Sequence, residues 1–131
     1  MRIAKRLIDE LVAHAREDLP NECCGMVGGV DGEARTVYRA ENAEASPFRY
    51  SIDAKEQFRL MREIEEAGEE LAGIYHSHTK SPAYPSQTDV NLAGWPDAVY
   101  LIASLAEPDA PDVKGFWIRD GEISEADLVV E

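Results

Sequence analysis

Apolar positions along the chain recur with two periods. Ile3, Leu7, Ile8, Leu11, Val12, Ala15 and Leu19 return at helical spacing with charges between them, which predicts an amphipathic helix ending near Pro20. His14 falls on its polar side and is expected to be solvated. A second helical stretch opens at Asp53, where Asp53 and Glu56 have the form of a capping box. Ala54, Phe58, Met61 and Ile64 form its apolar face, and Gly68 ends it. The other segments read as strands. Glu22 to Gly29 is apolar and glycine-rich, and a period of two sets Glu22 and Cys24 on one face and Cys23 on the other. Asp31-Gly32 is a hairpin turn signal, and Ala34 to Ala40 is the return strand. Phe48 to Ile52 predicts a short strand, as does Leu71 to Tyr75. Ala98 to Ser104 is a continuous apolar run suited to a central strand. Lys114 to Ile118, a turn at Arg119-Asp120-Gly121 and one more short strand complete the chain. This order predicts an α/β or α+β sandwich with a mixed central sheet, in a single domain spanning 1–131.

Candidate chemistry concentrates in Gly73 to Asp89, GIYHSHTKSPAYPSQTD. His76 and His78 stand two apart at the end of a predicted strand, so both imidazoles point to one side. Pro82 and Pro85 forbid a continuing ladder and imply a loop. Ser86 and Asp89 then open a short helix running to about Ala93, and at a spacing of three they share one helix face. A bare pair of histidines is weak evidence, and Ser86 with Asp89 is by itself a helix cap. Together, two imidazoles and one carboxylate make a three-ligand site with an open fourth position, the pattern of catalytic rather than structural zinc. Ser77 points away from the histidines and is assigned to packing or to supporting the ligands from behind. Cys24 shares the face of Glu22, but a thiolate there would close the fourth position.

Charge and composition narrow the function classes. Of 131 residues, 26 are acidic and 13 basic, a formal net charge of −13, which argues against binding nucleic acid or an anionic membrane surface. No apolar run approaches the ~18 residues of a membrane span. The N-terminus carries charges throughout and no cleavage site, so it is not a secretory signal. Cys23 and Cys24 are adjacent, where a bridge would be strained, and read as reduced thiols of a cytoplasmic protein.

His76-Ser77-His78, seven residues, Ser86, two residues and Asp89, with Glu22 upstream in Pro20-Asn21-Glu22-Cys23-Cys24-Gly25, resembles the signature of the JAMM (MPN-plus) metalloproteases over nearly the whole chain. The similarity is strongest to short stand-alone prokaryotic members that process ubiquitin-like sulfur-carrier proteins. Tyr75 to Thr79 and Ala83 to Ser86 are especially similar to the type that frees cysteine from its carrier. The resemblance implies a three-layer, cytidine-deaminase-like fold with a curved mixed sheet flanked by helices. It implies zinc on His76, His78 and Asp89, Glu22 as the general base and Ser86 as donor to the oxyanion. The implied activity is cleavage of the peptide or isopeptide bond after a carrier's C-terminal Gly-Gly, with the extended tail added as a strand beside a sheet edge. The competing expectation is a non-catalytic MPN scaffold that binds partners. Such relatives lack one or more metal positions, and none is missing here.

Overall fold

The computed structural model describes residues 1–131. Its centre is one mixed eight-stranded sheet of order β7-β6-β5-β4-β2-β3-β1-β8. β2 (Cys24–Val30) and β3 (Glu33–Ala40) form a hairpin, and β4 (Glu70–His78) pairs antiparallel with β2 and parallel with β5 (Val99–Ser104). β6 (Asp112–Arg119) and β7 (Glu122–Ala126) extend one side by antiparallel pairing. On the other side, β1 (Arg2–Ile3) and β8 (Val129–Val130) pair parallel with each other, and β1 pairs parallel with β3. The Asp31-Gly32 turn takes left-handed backbone at both residues, φ 51° and 78°, the form whose twist suits a two-residue hairpin.

Helices cover both faces, giving the three layers expected. α1 (Lys5–Glu17) sets Leu7, Leu11 and Ala15 against Val27, Tyr75, Leu101 and Ala103 on one face. α2 (Ala54–Glu66) sets Leu60 and Ile64 against Cys24 and Met26 on the other. On that second face, Ile74, Tyr100, Ile102 and Phe116 pack with Val90 of α3 (Gln87–Leu92) and with Ala93 and Trp95 beyond it. β5 is buried along its whole length, as its unbroken apolar run requires of an inner strand. No helix is long and apolar enough to cross a membrane.

Several expectations need correction. Ile3 is the end of a strand, not the start of the helix, because the N-terminus is captured between β3 and β8. His14 is buried rather than solvated, since the Tyr75 hydroxyl beneath α1 supplies it with a polar partner. Phe48 to Ile52 forms no strand. The apolar face of α2 is Leu60 and Ile64 with Met61 half-buried, while Phe58 is 67% exposed. Asp53 caps α2 by accepting from Lys55 N at 3.2 Å, but Glu56 completes no capping box: its Oε1 accepts from Glu41 N at 2.8 Å, tying α2 to the chain after β3.

Candidate metal centre

The second face of the sheet carries the chemistry, at the C-terminal end of β4. Cys24 pairs with His76 across β2 and β4, and His76 and His78 face Ile102 and Ser104 of β5. Period two therefore points both imidazoles toward the α2–α3 side, where Ile74 lies in the row before them. The chain then turns through Pro82 and Pro85, and Ser86 caps α3. A full capping box forms: Ser86 Oγ accepts from Asp89 N at 3.1 Å, and Asp89 Oδ2 accepts from Ser86 N at 2.9 Å. The box holds the Asp89 carboxylate facing back to the strand, because the oxygen that closes the cap is also the one that meets the histidines.

His76 Nε2 and His78 Nε2 each lie 3.1 Å from Asp89 Oδ2 and 3.2 Å from each other. This near-equilateral triangle is close to the ~3.3–3.4 Å edge that a tetrahedral ion with ~2.0–2.1 Å bonds sets between its ligands. The protons agree with such an ion. His78 Nδ1 lies 2.8 Å from the Pro82 carbonyl, an acceptor only, so Nδ1 carries the proton and a neutral His78 presents a bare Nε2. Burial tends to raise the Asp89 carboxyl, but the two imidazole edges that face it and the Ser86 N–H outweigh that and hold the group well below the usual range, as an anion. Burial dominates at His76 and pushes its pKa down, keeping that ring neutral. At His78 burial also opposes the charged form, but Asp89 and the Pro82 carbonyl outweigh it and raise the pKa, so a cation taken up there displaces a proton from that ring. Two imidazole nitrogens and an anion sharing one point make a donor set suited to a divalent cation.

Glu22 lies two residues before β2, not within it, and is 4% exposed. Burial pushes its carboxyl up to about 7, with the nearby His78 opposing and Asp89 adding to the rise. Its Oε1 is buried with no hydrogen-bond partner in the protein. A carboxylate poised near neutrality with an unengaged oxygen beside the triad has the attributes of a group that takes and gives protons. The Ser86 hydroxyl is exposed, and accepting as a cap leaves its own proton free to donate.

The remaining candidates have structural roles. Ser77 Oγ accepts from Cys23 N at 2.8 Å on the α1 side. Cys23 and Cys24 are buried free thiols, and burial raises both, the first to about 12. Cys24 is thereby held protonated, in keeping with a triad that lacks a fourth protein ligand. Sequence reasoning missed two residues close to the site, Asn42 and Tyr50. Tyr50 stacks on His76, with ring centroids 4.5 Å apart and planes inclined by 20°. Asn42 is a buried amide in a polar stretch, and no spacing in the sequence marks it.

Comparison with known proteins places this geometry among relatives. A family model of prokaryotic homologues of the JAB domain matches residues 4–119. The chain is 43% identical over 121 residues to the CysO-cysteine peptidase of Mycobacterium tuberculosis, covering 91% of this chain and 83% of that one. It is 40% identical over 131 residues to the desampylase of Haloferax volcanii, covering 94% and 91%. A JAB1/MPN domain protein from Archaeoglobus fulgidus shares the fold, with a TM-score of 0.64 at 18% identity over 99% of this chain and 98% of that one.

Proposed function

The chain belongs to the family of prokaryotic homologues of the JAB domain, and from that premise we propose that it is a zinc metallopeptidase cutting after the C-terminal Gly-Gly of a ubiquitin-like sulfur-carrier protein. The broader part of this reading, an isopeptidase-like hydrolase of ubiquitin-like conjugates, follows the relatives named above. Release of cysteine from the carrier follows the first of them, 43% identical over nearly the whole chain. The observation that carries the chemistry is the triangle of His76 Nε2, His78 Nε2 and Asp89 Oδ2 beside a buried Glu22 with an unengaged oxygen. A partner-binding scaffold of the same fold has no need of that convergence.

In this reading His76, His78 and Asp89 hold the ion. Bound there, zinc would supply Lewis acidity, lowering the pKa of a water and polarising the scissile carbonyl. Glu22 takes the proton of the attacking water and hands it to the leaving amine. The Ser86 hydroxyl donates to the oxygen on which negative charge develops. Asp89 keeps its geometry because the capping box fixes it to the first turn of α3. The two free thiols suit a reducing compartment, and a cytoplasmic location is part of the same proposal.

The test is cleavage of carrier fusions followed by mass spectrometry. A carrier joined through its C-terminal Gly-Gly to cysteine or a short peptide is cut after the last glycine, and replacing that glycine with valine blocks cutting. Glu22→Gln keeps the metal and the fold but slows turnover by about 10²–10⁴-fold, the usual cost of a lost general base. Equal cutting of both fusions would reject the Gly-Gly reading. Wild-type turnover in Glu22→Gln would remove Glu22 from its role, and loss of metal in that variant would make Glu22 a ligand.

A further inference from the structure

The two histidines of the triad are held differently. Each turns Nε2 to Asp89 Oδ2, but only His78 is braced from behind, by the Pro82 carbonyl at its Nδ1. His76 Nδ1 is buried and has no hydrogen-bond partner in the protein. A ligating imidazole ordinarily owes its tautomer and orientation to such a bond, and His76 lacks it. What lies against the ring instead is Tyr50, stacked nearly parallel at 4.5 Å.

Tyr50 belongs to a stretch without helix or strand, residues 41–53, and its position depends on Asn42. The Asn42 amide uses all its bonding capacity. Nδ2 donates to the carbonyls of Glu22 and Arg49, each at 3.0 Å, and Oδ1 accepts from Glu44 N at 3.0 Å and Ser51 N at 3.2 Å. Arg49 and Ser51 flank Tyr50, so one buried side chain grips both neighbours of the stacking ring and the backbone of Glu22. Ala43 N donating to Ser51 O and Glu22 N donating to Ser46 O, both at 2.9 Å, close the same frame. Tyr50 also lines a cavity of about 230 Å³ with Met26, Ile74, Trp95 and Tyr100. The ring also packs against the cluster of Cys24, Met26, Leu60 and Ile64, and the stack on His76 is its contact with the triad.

We propose that Tyr50 is a positioning residue: presented by the Asn42-clamped loop, its ring fixes the His76 imidazole by stacking, in place of the hydrogen bond that Nδ1 does not make. The proposal rests on reading His76 as a metal ligand. Without the stack, the His76 ring can turn about its side-chain bonds, and the triangle with His78 and Asp89 loses one corner. The stack needs an aromatic ring and not the hydroxyl, which sets a clear pattern for substitution.

The experiment compares wild type, Tyr50→Phe, Tyr50→Leu and Asn42→Asp, each first checked for folding by circular dichroism. Zinc affinity is measured by chelator competition, and the ligand field by the visible absorption of the cobalt(II)-loaded protein. Tyr50→Phe keeps both within about threefold of wild type. Tyr50→Leu, apolar but unable to stack, weakens zinc by about 10–100-fold, the usual cost of losing an orienting partner, and alters the cobalt spectrum. Asn42→Asp, which sets carboxylate lone pairs against two carbonyls, shifts the spectrum in the same direction. A merely space-filling Tyr50 would change melting temperature and leave the spectrum as it is. Wild-type affinity and spectrum in Tyr50→Leu, or equal losses in Tyr50→Phe and Tyr50→Leu, overturn the positioning role. An unchanged spectrum in a folded Asn42→Asp overturns the clamp. A wild-type protein that takes up neither zinc nor cobalt overturns the metal-centre reading and removes the premise here. A metal-binding wild type with an indifferent Tyr50→Leu overturns the positioning alone.

Discussion

The His14 imidazole is 4% exposed and meets the Tyr75 hydroxyl at 2.7 Å through Nδ1, with Asp18 Oδ2 3.4 Å from Nε2. Burial lowers its pKa from the ordinary 6.5, and the charge of Asp18 only partly opposes that. The sign of the consequence follows from linkage. The unfolded chain binds this proton at a higher pH than the folded one, so stability is lost as pH falls through 6.5 toward the lower folded value. His14→Gln keeps a polar partner for Tyr75 and removes the titration. Chemical denaturation at pH 7.5 and pH 5.5 is expected to show a larger acid loss in wild type than in the variant. Equal losses would mean that His14 is not held neutral by burial. At this scale the site was legible in part. His76, His78, Ser86 and Asp89 are near in sequence, so strand and helix periods alone bring them together. Glu22, more than fifty residues upstream, needed the resemblance. Asn42 and Tyr50 stayed invisible because their roles arise from loop hydrogen bonds and a stack, neither of which leaves a period.

β2 and β4 act as a unit, because their register sets Cys24 opposite His76 and Gly25 opposite Tyr75. Gly25 is there for room: a Cβ at that position would lie 2.5 Å from the Tyr38 carbonyl oxygen and from the Tyr75 ring and hydroxyl. Backbone atoms cannot swing aside, so Gly25→Ala must push the strands apart or displace Tyr75 from His14. The expected cost is about 1–3 kcal/mol, typical of overpacking, with a weaker metal site because His76 follows Tyr75 on the moved strand. Denaturant titration reads the first effect and chelator competition the second, and wild-type values in both would show that the strands yield freely. Polarity patterns found the elements that span the sheet, such as β5 and the β2–β3 hairpin, since burial on two faces or a left-handed turn leaves a local mark. They failed at Phe48 to Ile52, apolar enough for a strand but organised by the Asn42 side chain. They failed on α2, where Phe58 lies outward while Leu60 packs on Cys24 and Met26. They also missed β1 and β8, whose two residues each pair only because the chain ends meet.

Across the whole molecule, the triad joins two layers: the histidines ride on the central sheet and the carboxylate on a helix that covers it. α3 has six residues and none is buried, so packing alone holds it weakly. An ion bridging Asp89 to β4 would therefore tie the covering helix to the sheet, and metal binding would appear as folding stability. Any ligand that binds only the folded chain stabilises it by about 2.7 kcal/mol at a free concentration of 100 times Kd. For a domain of this size that corresponds to a rise in melting temperature on the order of 10 °C. Wild type is expected to melt higher with zinc and lower after chelation, whereas His76→Ala and Asp89→Ala melt at one temperature in both conditions. Glu22→Gln keeps the full response, since the three ligands are intact without it. Metal analysis alongside should give about one zinc per wild-type chain. A wild-type melting temperature indifferent to both zinc and chelator would mean that the triangle holds no structural weight. A response retained in Asp89→Ala would detach the helix from the site and leave the two strand histidines to bind alone.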